Sequence, residues 1–220
     1  MKENNEHLTP APWSARTNST GQALSPLRAE REKTKYPAAI ARKMAEEIVA
    51  VLKSACEPDR CVIAGSLRRG KELVGDAEIL FVPRVEMAPV RGDMFDAPQD
   101  LAARTIEELC ELNWIERRRN VQGRTAWGEL IKLARHTASG VPIDFFAATE
   151  ENWWNYLVCR TGPAENNTAI CMAAQRRGWT WEPYSSGFAD LNDPARRAVM
   201  ESERAVFEFV GMKYREPKDR

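Results

Sequence analysis

Two carboxylates, Asp76 and Glu78, sit two positions apart at the head of the apolar run Ala77, Ile79, Leu80, Phe81 and Val82. Strand side chains alternate faces, so both acids point the same way. Just upstream, the apolar run Cys61-Val62-Ile63-Ala64 leads into a Gly65-Ser66 turn, followed by Arg68, Arg69 and Lys71. A small turn that can approach phosphate, arginines beside it and a paired carboxylate suited to a divalent cation are the parts needed to handle a nucleoside triphosphate. A third acid, Asp144, lies between Ile143 and Phe145. A carboxylate inside an apolar strand needs a partner to offset its desolvation. If its strand lies beside the first, Asp76, Glu78 and Asp144 form a cluster able to hold two cations about 4 Å apart. One cation would help ionise an attacking hydroxyl, and the other would hold a triphosphate and its leaving pyrophosphate.

The elements that must position these groups follow from periodicity and punctuation. Ile40, Met44, Ile48, Val51 and Leu52 mark one face of a helix that begins near Tyr36-Pro37. Residues 84–98, with Pro89, Gly92 and Pro98 following Pro83, read as a loop. Asp100 caps a helix whose buried side holds Leu101, Thr105, Leu109 and Leu112. Strands are expected over residues 126–134 and 141–147, joined by a turn at His136-Thr137-Ala138-Ser139-Gly140. After Ala148, Trp153, Trp154, Tyr156 and Leu157 suggest a helix, which Thr161-Gly162-Pro163 ends before a second helix runs to Arg176-Arg177-Gly178. Short strands around residues 179–181 and 186–189 and a last helix over residues 202–210, stopped by Gly211, complete the chain. The first 32 or so residues are polar and aperiodic, with Trp13 the exception, and read as a mobile tail.

Length and composition set limits. A chain of 220 residues is one large domain or two small ones, and 43% hydrophobic residues can fill a core. The 32 basic and 32 acidic residues balance, so nucleic-acid contact must come from local basic patches. Five cysteines without a C-x-x-C pair read as reduced, buried thiols in a reducing compartment, and two histidines argue against a His-rich zinc site. No signal peptide or bilayer-length apolar stretch is evident, giving an expectation of a cytoplasmic, intracellular protein without membrane contact.

The motif Gly65-Ser66-Leu67-Arg68-Arg69-Gly70-Lys71-Glu72 with Gly75-Asp76-Ala77-Glu78 resembles the phosphate and metal motif of family X DNA polymerases, the group that includes polymerase beta. Ile143-Asp144-Phe145 is similar to that family's third-carboxylate strand, Thr161-Gly162 to the turn opening its nucleotide-contacting helix, and residues 213–220 to its C-terminal signature. The resemblance spans roughly residues 36 to 220. It implies an α+β protein: a nucleotidyltransferase palm with a mixed β-sheet flanked by helices over residues 33–150, and a small C-terminal α/β nucleotide-selecting subdomain over 151–220. It implies that Asp76, Glu78 and Asp144 are the catalytic ligands of two Mg2+ ions, with Mn2+ a possible substitute. It further implies that Gly65, Ser66, Arg69, Gly75, Gly162 and Asn167 bind nucleotide, with Asn167 on the incoming base. The implied activity is transfer of a dNMP from a dNTP to a DNA 3′-hydroxyl on a primer-template or gapped DNA, in short-gap repair, by a monomer. The plan resembles the form without an N-terminal lyase domain.

The chain departs from the family pattern in places. Glu78 stands where aspartate is usual, and Pro142 where many members carry an arginine beside the third carboxylate. Cys159-Arg160 replace an aromatic pair, which leaves room against a 2′-hydroxyl and predicts good use of ribonucleotides. Cys171 falls near a template-contacting arginine. Neutral charge and these losses leave open a template-independent nucleotidyltransferase acting on RNA, protein or a small molecule; the intact trio of acids argues against a catalytically dead binding module. Blander roles are assigned to other conspicuous residues: a solvated strand end for Arg117-Arg118-Arg119, a helix C-terminus complement for Arg176 and Arg177, core or seam packing for Trp153, Trp154 and Cys159, and a turn for His136.

Overall fold

The computed structural model describes residues 34–89 and 96–220; the N-terminal tail with Trp13, and Gly92 of the expected loop, lie outside the described residues. In chain order the elements are β1 (Tyr36–Pro37), α1 (Ala38–Leu52), β2 (Cys56–Ile63), α2 (Gly65–Arg68), β3 (Leu73–Val74), β4 (Ala77–Pro83), β5 (Val85–Pro89), β6 (Asp96–Asp100), α3 (Leu101–Glu111), β7 (Ile115–Arg117), β8 (Ile131–His136), β9 (Pro142–Ala147), α4 (Trp153–Thr161), α5 (Ala164–Arg176), β10 (Trp179–Glu182), β11 (Gly187–Asp190), β12 (Arg197–Ala198) and α6 (Glu203–Phe209). The fold is α+β, with a mixed sheet flanked by helices.

The central sheet runs β2-β4-β9-β8-β7. Only β4 and β9 pair in parallel; their neighbours are antiparallel. Near-continuous apolar runs in β4 and β9 fit strands covered on both faces. One face, carrying Ile79, Phe81, Ile143, Phe145 and Ala134, packs with the buried residues of α1 and α3. The other, carrying Leu80, Val82 and Phe146, packs against Trp153, Tyr156 and Leu157 of α4. A separate cluster built on Val158, Ile170, Trp181, Phe188, Val206 and Phe207 holds α4, α5 and α6 against the three-stranded sheet β10-β11-β12.

Several expectations shift by about one position. The buried face of α1 is Ala41, Met44, Ala45, Ile48 and Leu52, while Ile40 and Val51 are exposed. Small alanines let the helix lie close to the sheet, and an apolarity count that favours large residues misplaces the stripe. The same rotation occurs in α3: Ala102, Ile106 and Leu109 are buried, Leu101 and Thr105 are half-buried, and Leu112, past the last turn, is exposed. Asp100 does cap this helix, its Oδ1 accepting from the Ala103 amide at 2.8 Å, a contact worth about 1 kcal/mol. Residues 84–98 are not simply a loop. β5 and β6 form an antiparallel ribbon in which Met87 faces Pro98, prolines being tolerated in so exposed a two-stranded ribbon. The strand expected from residue 126 begins only at Ile131; residues 126–130 are irregular, with Gly128 accepting at its carbonyl from Lys132 Nζ. The turn ends at Gly140, whose φ of +69° suits glycine.

Candidate active site

Sheet register assembles the site. Glu78 pairs with Asp144, Asp144 pairs with Leu133, the Ala64 amide donates to the Glu78 carbonyl at 2.8 Å and the Arg118 amide to the Leu133 carbonyl at 2.9 Å. Residues opposite one another share a face, so Ala64, Glu78, Asp144, Leu133 and Arg118 form one row across the sheet. Asp76, two residues before Glu78, precedes β4 on the same side. The row lies on the α4 face, next to the row containing Leu80 and Phe146.

At the end of the row, β2 turns into the single-turn helix α2. Gly65 sits there at φ +63°, and a Cβ on it would come within 3.0 Å of Glu78 Cδ. Glycine is therefore required twice over: by the backbone and by the carboxylate packed against it. Gly75 differs, since a Cβ there would meet nothing within 4 Å; the fold does not demand glycine at that position. No side-chain partner is recorded for Ser66 among the described residues.

Arg68 and Arg69 tie α2 to the C-terminal part. Arg68 donates through both terminal nitrogens to Glu203, at 2.8 and 2.7 Å, and to Thr161 Oγ1 at 2.7 Å. Arg220, whose side chain is fully buried, donates to the same Glu203 at 3.1 Å and lies over the rings of Phe207 and Tyr214. Burial alone would raise the Glu203 pKa, yet the two guanidiniums hold it below the usual carboxylate range. Arg69 Nη1 donates to the Thr161 carbonyl, while its Nε is buried without a partner. Thr161 ends α4, and Gly162 follows at φ +61° with Arg69 Nη1 3.2 Å from where a Cβ would stand. Asn167 donates to the Cys159 carbonyl at 2.8 Å; its side-chain Oδ1 is buried and unpartnered.

The acids are crowded by their surroundings. Burial, then the charge of Asp76, pushes Glu78 up to about 7, with Asp144 adding to the push and Arg160 and Arg69 opposing it. Glu78 Oε2 has no hydrogen-bond partner. Burial also raises Asp144, against the pull of Arg118, which donates to Asp144 Oδ1. Among the described residues, no group of three or more His, Cys, Asp or Glu side chains is drawn together tightly enough to hold an ion. The register brings Glu78 and Asp144 side by side; their carboxyl groups, with Asp76, do not converge.

Some contributors carry no pattern in the sequence. The Arg117–Arg119 run is a solvated strand end except at its middle: Arg117 and Arg119 are exposed, Arg117 binding Glu107 at 2.6 Å and covering Trp127, while Arg118 turns inward to pair with Asp144. Arg160 turns inward, its guanidinium 3.8 Å from the Phe146 ring centroid and donating to the Tyr184 hydroxyl at 3.2 Å. Tyr184, from the β10–β11 turn, packs edge-on against Tyr156 and takes a contact from Cys159 Sγ at 3.4 Å. Aromatic bulk therefore reaches the space beside the small Cys159 from a distant segment. Arg177 binds the Phe209 carbonyl at the end of α6, not its own helix, and the buried Trp153 is a core residue. All five cysteines are free, and no helix among the described residues is long and apolar enough to cross a membrane.

Residues 156–220 match the DNA polymerase beta thumb family. No curated protein is similar enough to the chain to count as a relative.

Proposed function

We propose that this family X polymerase-like protein is a DNA-directed DNA polymerase that transfers a dNMP from a dNTP to a DNA 3′-hydroxyl, in the filling of short gaps. The observation that carries the reading is the parallel register of Glu78 with Asp144, in a chain whose C-terminal part matches a polymerase thumb. An all-carboxylate donor set suits a hard divalent cation. The buried, unpartnered Glu78 Oε2 and the raised Glu78 pKa describe a carboxylate short of positive charge. By the chemistry of their donors, Asp76, Glu78 and Asp144 are the residues that would hold magnesium, closing on it from carboxyl positions that do not converge without it. When bound there it would supply the positive charge that favours an ionised 3′-hydroxyl and a stabilised pyrophosphate leaving group.

The chain's own groups do the positioning. Gly65 leaves the space into which Glu78 packs, and Gly75, around which a Cβ would meet nothing within 4 Å, is the position we assign to close approach of a phosphate. Arg69, with a buried Nε lacking an acceptor, is the cation we assign to the triphosphate, beside Ser66. The unpartnered Asn167 Oδ1 and the Gly162 turn are assigned to the incoming nucleotide. Extension of a labelled primer with magnesium, on gapped duplex against single-stranded DNA, tests the reading. Template-ordered products are expected on the gapped substrate. Untemplated addition, or no DNA product, would favour a template-independent nucleotidyltransferase instead.

A further inference from the structure

We propose that Arg118 is an internal counter-cation for Asp144, competing with the divalent cation for that carboxylate until a backbone phosphate of the nucleic acid draws the guanidinium away. The proposal rests on the polymerase reading above and adds a coupling between substrate binding and completion of the metal site.

Three observations carry it. First, Arg118 is placed by the sheet itself: its amide extends the β7–β8 ladder onto Leu133, the residue paired with Asp144, so its side chain crosses one strand to reach Oδ1. Both side chains are largely buried, 20% and 17% exposed, so the pair is shielded from the screening that weakens surface bridges. At position 142, two residues before Asp144, the chain has proline, which offers no charge; Arg118 supplies a cation to the same carboxylate from the neighbouring strand. Second, the guanidinium is only half used. Its Nε is buried without an acceptor, and an arginine fork satisfied on one side is suited to a second, bidentate oxyanion. Third, Arg118 leads directly into a turn bearing Arg119 and Arg124, both exposed and without an ion pair among the described residues. A backbone crossing that turn would bring phosphate to the edge of the Arg118 pair.

The exchange has a clear thermodynamic form. A ligand shifts an equilibrium only by its differential affinity for the two states. Phosphate binds an Arg118 that has left Asp144, and the cation binds an Asp144 that Arg118 has left, so each stabilises the state the other needs. Reciprocal coupling follows, with typical magnitudes of about five- to 150-fold.

Calorimetric titration of Mn2+, without nucleotide, tests this on the full chain. It is run alone and with a short primer-template duplex, after subtraction of Mn2+ binding to the duplex itself. The unmodified protein should bind Mn2+ about tenfold more tightly with duplex present. Arg118→Met, which keeps the apolar stem over Leu133, should bind tightly without duplex and gain little on its addition. Arg117→Met, which breaks only the pair with Glu107, should leave the duplex-free affinity unchanged, and thermal melts establish that each variant is folded. Equal Mn2+ affinity in the unmodified and Arg118→Met proteins overturns the proposal while leaving the metal site standing. Weaker binding by Arg118→Met also overturns it, because Arg118 would then be holding Asp144 in place for the cation. Absence of Mn2+ binding in every variant removes both the proposal and the polymerase reading beneath it.

Discussion

The proposed role of Glu78 and its cost to the fold have one cause, a carboxylate buried beside another acid. In the cation-free protein, burial and the charge of Asp76 raise it from an ordinary 4.5 to about 7. Below pH 4.5 the side chain is neutral in both folded and unfolded chains and costs nothing. As the pH rises through 7 the unfolded chain is already ionised and the folded chain must ionise too, so its stability falls across that window. At about 1.4 kcal/mol for each pKa unit the ceiling is roughly 3 kcal/mol. Partial access of solvent to the group reduces this to about 2 kcal/mol. Glu78→Gln keeps the shape that packs on Gly65 and removes the charge. At pH 8 in a chelator it should therefore melt about 4–8 °C above the unmodified protein, and at pH 4 the two should melt together. Saturating Mg2+ should close the gap by stabilising only the unmodified protein. Thermal melts at the two pH values, with and without Mg2+, are the assay. An equal gain at both pH values would trace it to packing, and no gain at pH 8 would mean that Glu78 already has an adequate partner; either result refutes the argument.

Asp76→Ala and Asp144→Ala should each abolish primer extension while the circular dichroism spectrum stays native, whereas Glu78→Asp should keep measurable extension; near-normal turnover by Asp144→Ala would dismantle the cluster. Glu203→Gln strands the buried Arg220 and frees Arg68, so urea denaturation should show a loss of about 3 kcal/mol. Because the Glu203 pKa is lowered on folding, its contribution is fully present above pH 4.5 and should vanish as the pH drops through the folded value, which the variant should not repeat. Gly65→Ala forces an L residue to φ +63° and drives a methyl onto Glu78, so a loss of about 1–3 kcal/mol in the same assay is expected, with weaker Mn2+ binding. Tyr184→Ala should shift the ratio of kcat/KM for NTP over dNTP upward by about tenfold or more, and Cys159→Ala much less; an unchanged ratio in Tyr184→Ala would place sugar selection elsewhere.

The fold was legible wherever one physical signal had a single structural meaning. The apolar runs around Leu80 and Phe145 admit only buried strands, Asp100 before Leu101 admits a cap, and Gly162, Gly178 and Gly211 punctuate helices as positive φ requires. It was less legible where the signal was degenerate. Alanines are weak markers of a helix face, so the stripes of α1 and α3 were turned from their true positions. Prolines excluded a central strand for residues 84–98 but not an exposed ribbon such as β5–β6, whose outward groups need no donor from them.

The site divides along the same line. Asp76, Glu78 and Gly65 are spaced by strand and turn geometry, and the sequence therefore carries their spacing, whereas Asp144 joins them only through the pairing of β9 with β4. Arg118, Arg160, Tyr184 and Glu203 reach it through pairings between segments far apart in the chain, and a charged or aromatic residue on its own does not announce which strand or helix will face it. The consequence is chemical as well as descriptive. The acids read directly from the sequence require positive charge, and the cations the fold adds are the groups that supply some of it when no metal is bound: Arg118 on Asp144, and Arg160 and Arg69 opposing the raised pKa of Glu78. On the proposed reading, each ligand would displace or recruit a guanidinium already committed elsewhere, Arg118 to Asp144 and Arg69 to the Thr161 carbonyl.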